Sequence, residues 1–403
     1  MTTTSKLSGH TKEFTILMAA LMAVVAISID ALLPALGRVS EDLQLANPNH
    51  AQFLIGFIFI GMAMGQLIAG PLSDALGRKK VLYGGIAIYL IGSLIGYFSG
   101  SLEGILFGRF IQGIGVAGPY ISSVSIVRDR YAGREMARVM SIVSMIFIMV
   151  PAIAPSLGLV VMKMATWREI FVLYIVYAAI VAAWIFFRLE ETLPREKRIQ
   201  LHVPDILNGF KEVFRSKVTL CYTLCMGLCF GSFLGYLNSC QQIFQDQFGV
   251  GDSFTLYFGA LALVLGSASL TNSRIVEKLG MHYICIRAFS GVVVASIIFL
   301  ALHWMIDITL PVFLIYAASI FFCFGLIFGN MNSLAMEPMG HIAGIASAVI
   351  GCLSNIISMI LGAFIGQLYY GTLIPILLGF VVLGLTAIMV MLYANKLRHK
   401  ILH

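Results

Sequence analysis

The sequence predicts an all-α membrane protein with about twelve transmembrane helices. Three observations predict it. Hydrophobic residues make up 59% of the 403, and only 11% are charged, against roughly a quarter in a soluble protein. The apolar residues fall into runs of spanning length, since a bilayer core needs about 20 of them per helix. The basic residues behind the net charge of +7 sit in short loops between those runs. That placement argues against nucleic acid as a partner and for a lipid bilayer.

The expected spans are 14–38, 51–70, 80–100, 102–126, 136–162, 168–188, 218–240, 253–272, 281–302, 308–333, 341–368 and 372–394. Each must be helical, because lipid offers no partner to a free peptide group. The polar start Met1 to Glu13 leads straight into a full-length span with no cleavage signal, so the first helix is expected to stay as an anchor. With the N-terminus placed in the cytoplasm, about 22 of the 26 Lys and Arg residues fall on that side and about 3 on the other, a strong positive-inside bias. Arg78-Lys79-Lys80, Arg128 to Arg138 and Arg188 to Lys217 supply most of it. Both termini are therefore expected to be cytoplasmic.

The longest polar stretch divides the spans six and six. The expected organisation is a first bundle over 1–188, a linker over 189–217 and a second bundle over 218–403. Within the linker, Val203, Ile206, Leu207, Phe210, Val213 and Phe214 recur at helical spacing beside Lys211, Glu212 and Arg215. That pattern suits an amphipathic helix on the inner membrane surface, or else a plain linker turn. Asp74-Ala75-Leu76-Gly77 after the second span has an echo in Glu277-Lys278-Leu279-Gly280 after the eighth. An offset of half the chain is what two related halves would leave.

Charges inside spans are the sharpest functional signal, since each costs about 2.5–3.5 kcal/mol at mid-helix. Two lie well inside: Asp30 in the first span and Arg109 in the fourth. At 1.5 Å rise per residue both sit roughly 6–8 Å outward of the midplane, at a shared depth. Asp30 reads either as a proton-titrating carboxylate facing a cavity or as half of a static ion pair. Pro34, four residues on, removes the amide that would bond the Asp30 carbonyl and favours a kink. On the fourth span Arg109, Gly113, Val116 and Tyr120 share a face with Gln112 beside it; this face lines a cavity or forms a packing seam.

The segment Gly70-Pro71-Leu72-Ser73-Asp74-Ala75-Leu76-Gly77-Arg78 reads as a tight turn joining the second and third spans. Asp74 there is placed to hold Arg78 or cap a helix, as a conformational latch. Pro151 and Pro155, with Gly158, predict a bend in the fifth span. Cys221, Cys225 and Cys229 form a helical stripe without a His or acid beside it, so it reads as core and no metal is expected. The seven cysteines do not make a disulfide framework. Tyr236, Asn238, Asn330, Asn332 and Asn355 are polar groups in or near later spans, candidates for substrate contact along with Gln112 and Tyr120. No GxxxxGK[ST] loop and no HExxH motif occurs, which removes the usual signs of an ATP-driven pump or a metalloprotease.

These residues resemble the major facilitator superfamily, and within it the twelve-helix drug:proton antiporters of the bicyclomycin/chloramphenicol-resistance (Bcr/CflA) branch. The likeness is densest from Ser28 to about Pro194. Gly65-Gln66-Leu67 through Gly70-Pro71-Leu72-Ser73-Asp74 and Gly77-Arg78-Lys79 is similar to the family's loop signature. Arg109-Phe110-Ile111-Gln112-Gly113-Ile114-Gly115, followed by Val127-Arg128-Asp129, resembles the proton-antiporter signature of helix 4. Pro151-Ala152-Ile153-Ala154-Pro155-Ser156-Leu157-Gly158 resembles the branch's helix 5 motif. Trp167-Arg168 with Phe171, and Glu191-Thr192-Leu193-Pro194, continue it.

The resemblance implies a major facilitator fold, with 12 transmembrane helices in two pseudo-symmetric six-helix bundles. It also implies alternating access and proton-coupled export of small amphipathic organic compounds from a bacterial inner membrane. It assigns proton coupling to Asp30 and Arg109, and a charge network at the latch to Asp74, Gly77, Arg78 and Arg128. No cofactor is implied; the proton gradient is the energy source, the partners are a small molecule, protons and lipid, and the carrier is monomeric rather than an enzyme. The sequence departs from the branch at Ala31-Leu32, where Met-Tyr usually follows the acid, and at Leu159, where a glycine is usual. Export of one native metabolite, such as a siderophore or amino acid, or proton symport for uptake, are the alternative readings.

Overall fold

The computed structural model describes residues 9–131, 133–198 and 203–402. Among the described residues every regular element is a helix. The elements in order are α1 (Gly9–Asp30), a 3-10 turn Leu33–Ala35, α2 (Leu36–Asp42), α3 (Phe53–Leu76), α4 (Arg78–Phe98), α5 (Leu102–Arg130), α6 (Gly133–Met164) and α7 (Glu169–Arg188). The linker helix α8 (Val203–Arg215) follows, then α9 (Lys217–Gln241), α10 (Phe254–Leu279), α11 (Met281–Met305), α12 (Leu310–Met336), α13 (Ala343–Gln367) and α14 (Ile374–Leu402). Among the described residues eleven helices are long and apolar enough to cross a membrane, and Met149–Met164 within α6 adds a shorter apolar segment. Many large apolar side chains point outward from the bundle, Phe98, Phe187, Trp304 and Ile315 among them. A soluble protein does not tolerate so large an apolar surface; lipid does.

One local feature departs from the sequence expectation, the extent of α3, and the break in the first span follows it. The first span is not one helix. Helix α1 stops at Asp30, a 3-10 turn carries Pro34, and α2 resumes at Leu36, because Pro34 leaves the Asp30 carbonyl without its helical donor. The expected loop at Gly70–Gly77 is helical as far as Leu76, with Pro71 inside α3. The turn is Gly77 alone, whose φ of 101° is open to glycine and strained for other residues. Gly280 makes the same one-residue junction between α10 and α11 at φ 80°. The echo between residues 74–77 and 277–280 is thus structural. Helix α6 runs continuously through Pro151 and Pro155.

Glycines set how closely the first-half helices approach. A Cβ on Gly113 would sit 2.8 Å from Gly61 Cα, and one on Gly118 3.1 Å from Gly85 Cα, so α5 packs backbone to backbone against α3 and α4. The face bearing Gly113 and Val116 is therefore a packing seam. Helices α3 and α13, from opposite halves, run together across the whole thickness. Asn49 meets Gln367 at one end, Gly56 meets Met359, Gln66 meets Asn355, and Asp74 approaches Gly344 at the other.

Candidate functional site

Asp30 ends α1 at the break made by Pro34, and Gly158 of α6 packs on the carbonyl of Ala31 next to it. The carboxylate is nearly enclosed, at 5% exposure, and has no hydrogen bond or ion pair among the described residues. Arg109, 0% exposed, lies in the same layer. Its Nη2 donates to the carbonyl of Ser28 at 2.7 Å, its Nε to the carbonyl of Leu54 at 2.9 Å, and its Nη1 to Gln112 Oε1 at 2.9 Å. The guanidinium thus reaches the backbone two residues before Asp30, but the two side chains do not pair. Sequence reasoning placed them at one depth; the static ion pair is absent among the described residues.

Around Arg109 the polar groups close into a network. Gln112 Nε2 donates to Ser93 Oγ at 2.7 Å, and Ser93 Oγ donates to the carbonyl of Tyr89 at 2.9 Å. The Tyr89 hydroxyl meets Ser28 Oγ at 2.6 Å, and the Tyr174 hydroxyl donates to the Ser28 carbonyl at 3.1 Å. Tyr174 also presents its ring to the Arg109 guanidinium at 5.9 Å, a cation–π contact strengthened by the full burial of both groups. Five helices (α1, α3, α4, α5 and α7) therefore share one cation that neutral oxygens solvate. Such a cation holds a long-range field that an anion at Asp30 would feel and a neutral acid would not. Tyr89 and Tyr174 were not singled out from the sequence, where a tyrosine in an apolar run looks like any aromatic filler.

The remaining candidates separate. Gln112 is fully buried with both ends of its amide engaged, one by Arg109 and the other by Ser93. Asn330 exchanges hydrogen bonds with Asn272 of α10 and also donates to the Leu326 carbonyl, which makes it a clamp within the second half. Asn355 donates to Gln66 at 3.4 Å across the α3–α13 seam. Asn332 is exposed and Tyr120 half-buried. Tyr236 sits among Phe258 and Phe321, its hydroxyl without a hydrogen-bond partner among the described residues. Asn238 donates to the Gly362 carbonyl at 3.0 Å and lines a cavity of about 980 Å³.

That cavity lies at the face opposite the basic loops. Pro34, Gly37, Gln52, Asn238, Gln241 and Gln242 line its inner part, and Glu41, Asp42, Asp246 and Asp252 outnumber Arg38 and Lys163 around it. Asp30 does not line it. Along the wall of the cavity the halves are joined by amides. Gln52 Nε2 donates to Gln242 Oε1 at 2.9 Å, Gln242 Nε2 to Asn49 Oδ1 at 2.9 Å, and Asn49 Nδ2 to the Tyr369 carbonyl at 2.8 Å. Gln367 returns a bond to the Asn49 carbonyl at 2.7 Å, and Lys163 pairs with Asp252 nearer the rim at 2.7 Å.

At the basic face Arg78 is held by Asp74 and by Asp129, the latter at 2.9 Å from Nε. Thr192 donates to the same Asp129. Arg128, expected in this network, is exposed and has no ion-pair partner among the described residues; its neighbour Asp129 takes the position facing Arg78. One helical position is 100° of rotation, which a motif match cannot resolve. Glu191, after α7, caps α4: its carboxylate accepts from the amides of Arg78 at 3.0 Å and Lys79 at 3.2 Å. A carboxylate suits the positive end of a helix dipole. Asp74 meanwhile faces Gly344 in the first turn of α13.

The profile of the Major Facilitator Superfamily matches residues 17–363. The chain belongs to that family. It is a multi-pass membrane transporter, not an enzyme. This facilitator is 30% identical over 348 residues to a chloramphenicol resistance protein of Pseudomonas aeruginosa, covering 82% of this chain and 76% of the relative. It is 27% identical over 353 residues to a bicyclomycin resistance protein homolog of Haemophilus influenzae, with 87% of each covered. Its fold is similar to that of the E. coli xylose transporter XylE in a partially occluded inward-open conformation, with a TM-score of 0.67 at 13% identity over 96% of this chain and 98% of that one. The relatives agree with the helix 4 and helix 5 motifs in pointing to the drug-efflux branch of the superfamily.

Proposed function

We propose that this facilitator exports small amphipathic organic compounds in exchange for protons, with Asp30 as the proton carrier. The observation that carries the reading is an unpartnered carboxylate at a helix break, in the same layer as a fully buried guanidinium that only neutral groups solvate. An anionic Asp30 gains from the Arg109 field; a protonated one has no charge to desolvate. Alternating exposure to the two aqueous sides then changes which form is favoured. Substrate enters from the basic face, which is cytoplasmic by the positive-inside rule, in a bacterial inner membrane. Protonation of Asp30 from the opposite face accompanies release, and the return step delivers the proton inward. The carrier acts as a monomer of two bundles, and the latch of Asp74, Gly77, Arg78 and Asp129, with Glu191, stabilises closure of the basic face. The printed names of the two resistance relatives support drugs as substrates.

Asp30→Asn in proteoliposomes should abolish substrate-driven proton flux, followed with a pH-sensitive dye, while substrate binding survives. Full proton coupling in that variant refutes the assignment. A second reading, export of one native metabolite, has a specific support. Ala31 and Leu32 are both fully buried, so neither residue after the acid presents a group to a ligand. A panel of drugs and metabolites assayed side by side in inside-out vesicles separates the two.

A further inference from the structure

Helix α8 is amphipathic twice over. Gly209 and Val213 are buried, and a Cβ on Gly209 would come within 2.8 Å of Ile345 at the start of α13. Next to this packed face, Leu207 and Phe214 form a second apolar stripe, 58% and 53% exposed. At 100° per residue Lys211 and Arg215 fall along the border of that stripe, and Asn208 and Glu212 fall beyond them. Lys211, Arg215 and the adjacent Lys217 are exposed and have no ion-pair partner among the described residues. The order around the axis is therefore apolar, basic, then polar. That order suits a helix lying at headgroup depth, with its apolar stripe in the acyl boundary and its basic side chains snorkelling to phosphates. Tethering to α7 and α9 keeps α8 at the membrane surface on the basic face.

We propose that α8 docks on anionic phospholipid, and that it links headgroup charge to the start of α13. Ile345, on which Gly209 rests, follows Gly344, which faces Asp74. A pull on α8 thus bears on the helix end that meets the latch. The occupant is the lipid surface of this chain's own membrane, selected by the two bases bordering the apolar stripe.

Hydrogen exchange on the full chain tests this without any transport readout, so it stands or falls apart from the proposed antiport. The protein is placed in nanodiscs of phosphatidylcholine alone, or of phosphatidylcholine with phosphatidylglycerol. Each base near an anionic surface contributes about 1 kcal/mol, about fivefold in a binding constant. Amides of Val203–Arg215 should therefore exchange at least fivefold more slowly with the anionic lipid. High salt, or the double variant Lys211→Gln with Arg215→Gln, should remove the difference, while α5 amides stay unchanged as the control for folding. Equal exchange in the two lipids overturns the proposal, as does an unchanged difference in the double variant. Protection that follows the number of copies per disc instead of lipid charge also overturns it and assigns the stripe to a second copy.

Discussion

Replacing Gly158 with alanine tests how Asp30 is positioned. A Cβ at that position would overlap the Ala31 carbonyl oxygen by more than about 1 Å. The obstacle is backbone, not the end of a flexible side chain, so α6 or the break after Asp30 must move. Overpacking of this kind costs about 1–3 kcal/mol. With an unfolding entropy of about 2.1 cal/mol/K per residue, 1 kcal/mol corresponds to roughly 1 °C in a chain of this length. The melting midpoint in detergent should therefore fall by about 1–3 °C. The functional effect should be larger than the stability effect, because the residue displaced adjoins the proposed proton carrier. Gly84→Ala is the matched control: nothing lies within 4 Å of its Cβ position, and in α4 alanine is favoured over glycine by about 1 kcal/mol. The pair is assayed for midpoint and for proton-coupled flux in one lipid. Wild-type midpoint and flux in Gly158→Ala, or an equal loss in Gly84→Ala, would refute the reasoning.

Other outcomes follow from the same geometry. Arg109→Lys keeps the charge but has no counterpart of Nε, so the Leu54 carbonyl loses its donor; destabilisation of about 1–3 kcal/mol is expected, read as a lower midpoint even in variants already lacking Asp30. Glu191→Gln weakens the cap on α4 and the charge at its dipole, for about 0.5–2 kcal/mol; faster amide exchange at Arg78 and Lys79 is the measurement. Gln52→Leu removes the donor to Gln242 and should speed amide exchange over Gln242–Gln247, while unchanged exchange counts against the amide closure. Lys163→Gln breaks an exposed ion pair worth less than about 1 kcal/mol, so no change in midpoint should be detectable.

The helices and the two lone charges were legible because lipid imposes simple penalties. An apolar run of spanning length has few alternatives, and a charge within one stands out against its neighbours. The break after Asp30 was legible too, since Pro34 removes one named hydrogen bond. Side-chain partnerships were not. Whether Arg128 or Asp129 meets Arg78 depends on one step of helical rotation. Whether Gln112 faces a ligand or Arg109 depends on the packing of α3 and α4 against α5, which Gly61, Gly85 and Gly113 set jointly from separate parts of the chain. The Gly70-Pro71 pair looks like a turn, but membrane helices tolerate proline where neighbours satisfy the freed carbonyl, and α3 continues to Leu76. Glu191 acts on amides more than a hundred positions earlier, and no local pattern announces it.

The amide contacts along the acidic cavity are made by Asn49, Gln52, Gln242 and Gln367, all without formal charge, and the nearby Lys163–Asp252 pair is neutral as a whole. Parting these groups moves no net charge through the electric field of the membrane, which otherwise exacts about 2.3 kcal/mol per elementary charge at 100 mV. Voltage therefore has no direct grip on that seal. A cell whose potential collapses would still be able to work it, and in the proposed cycle acidity enters through the buried carboxylate of Asp30.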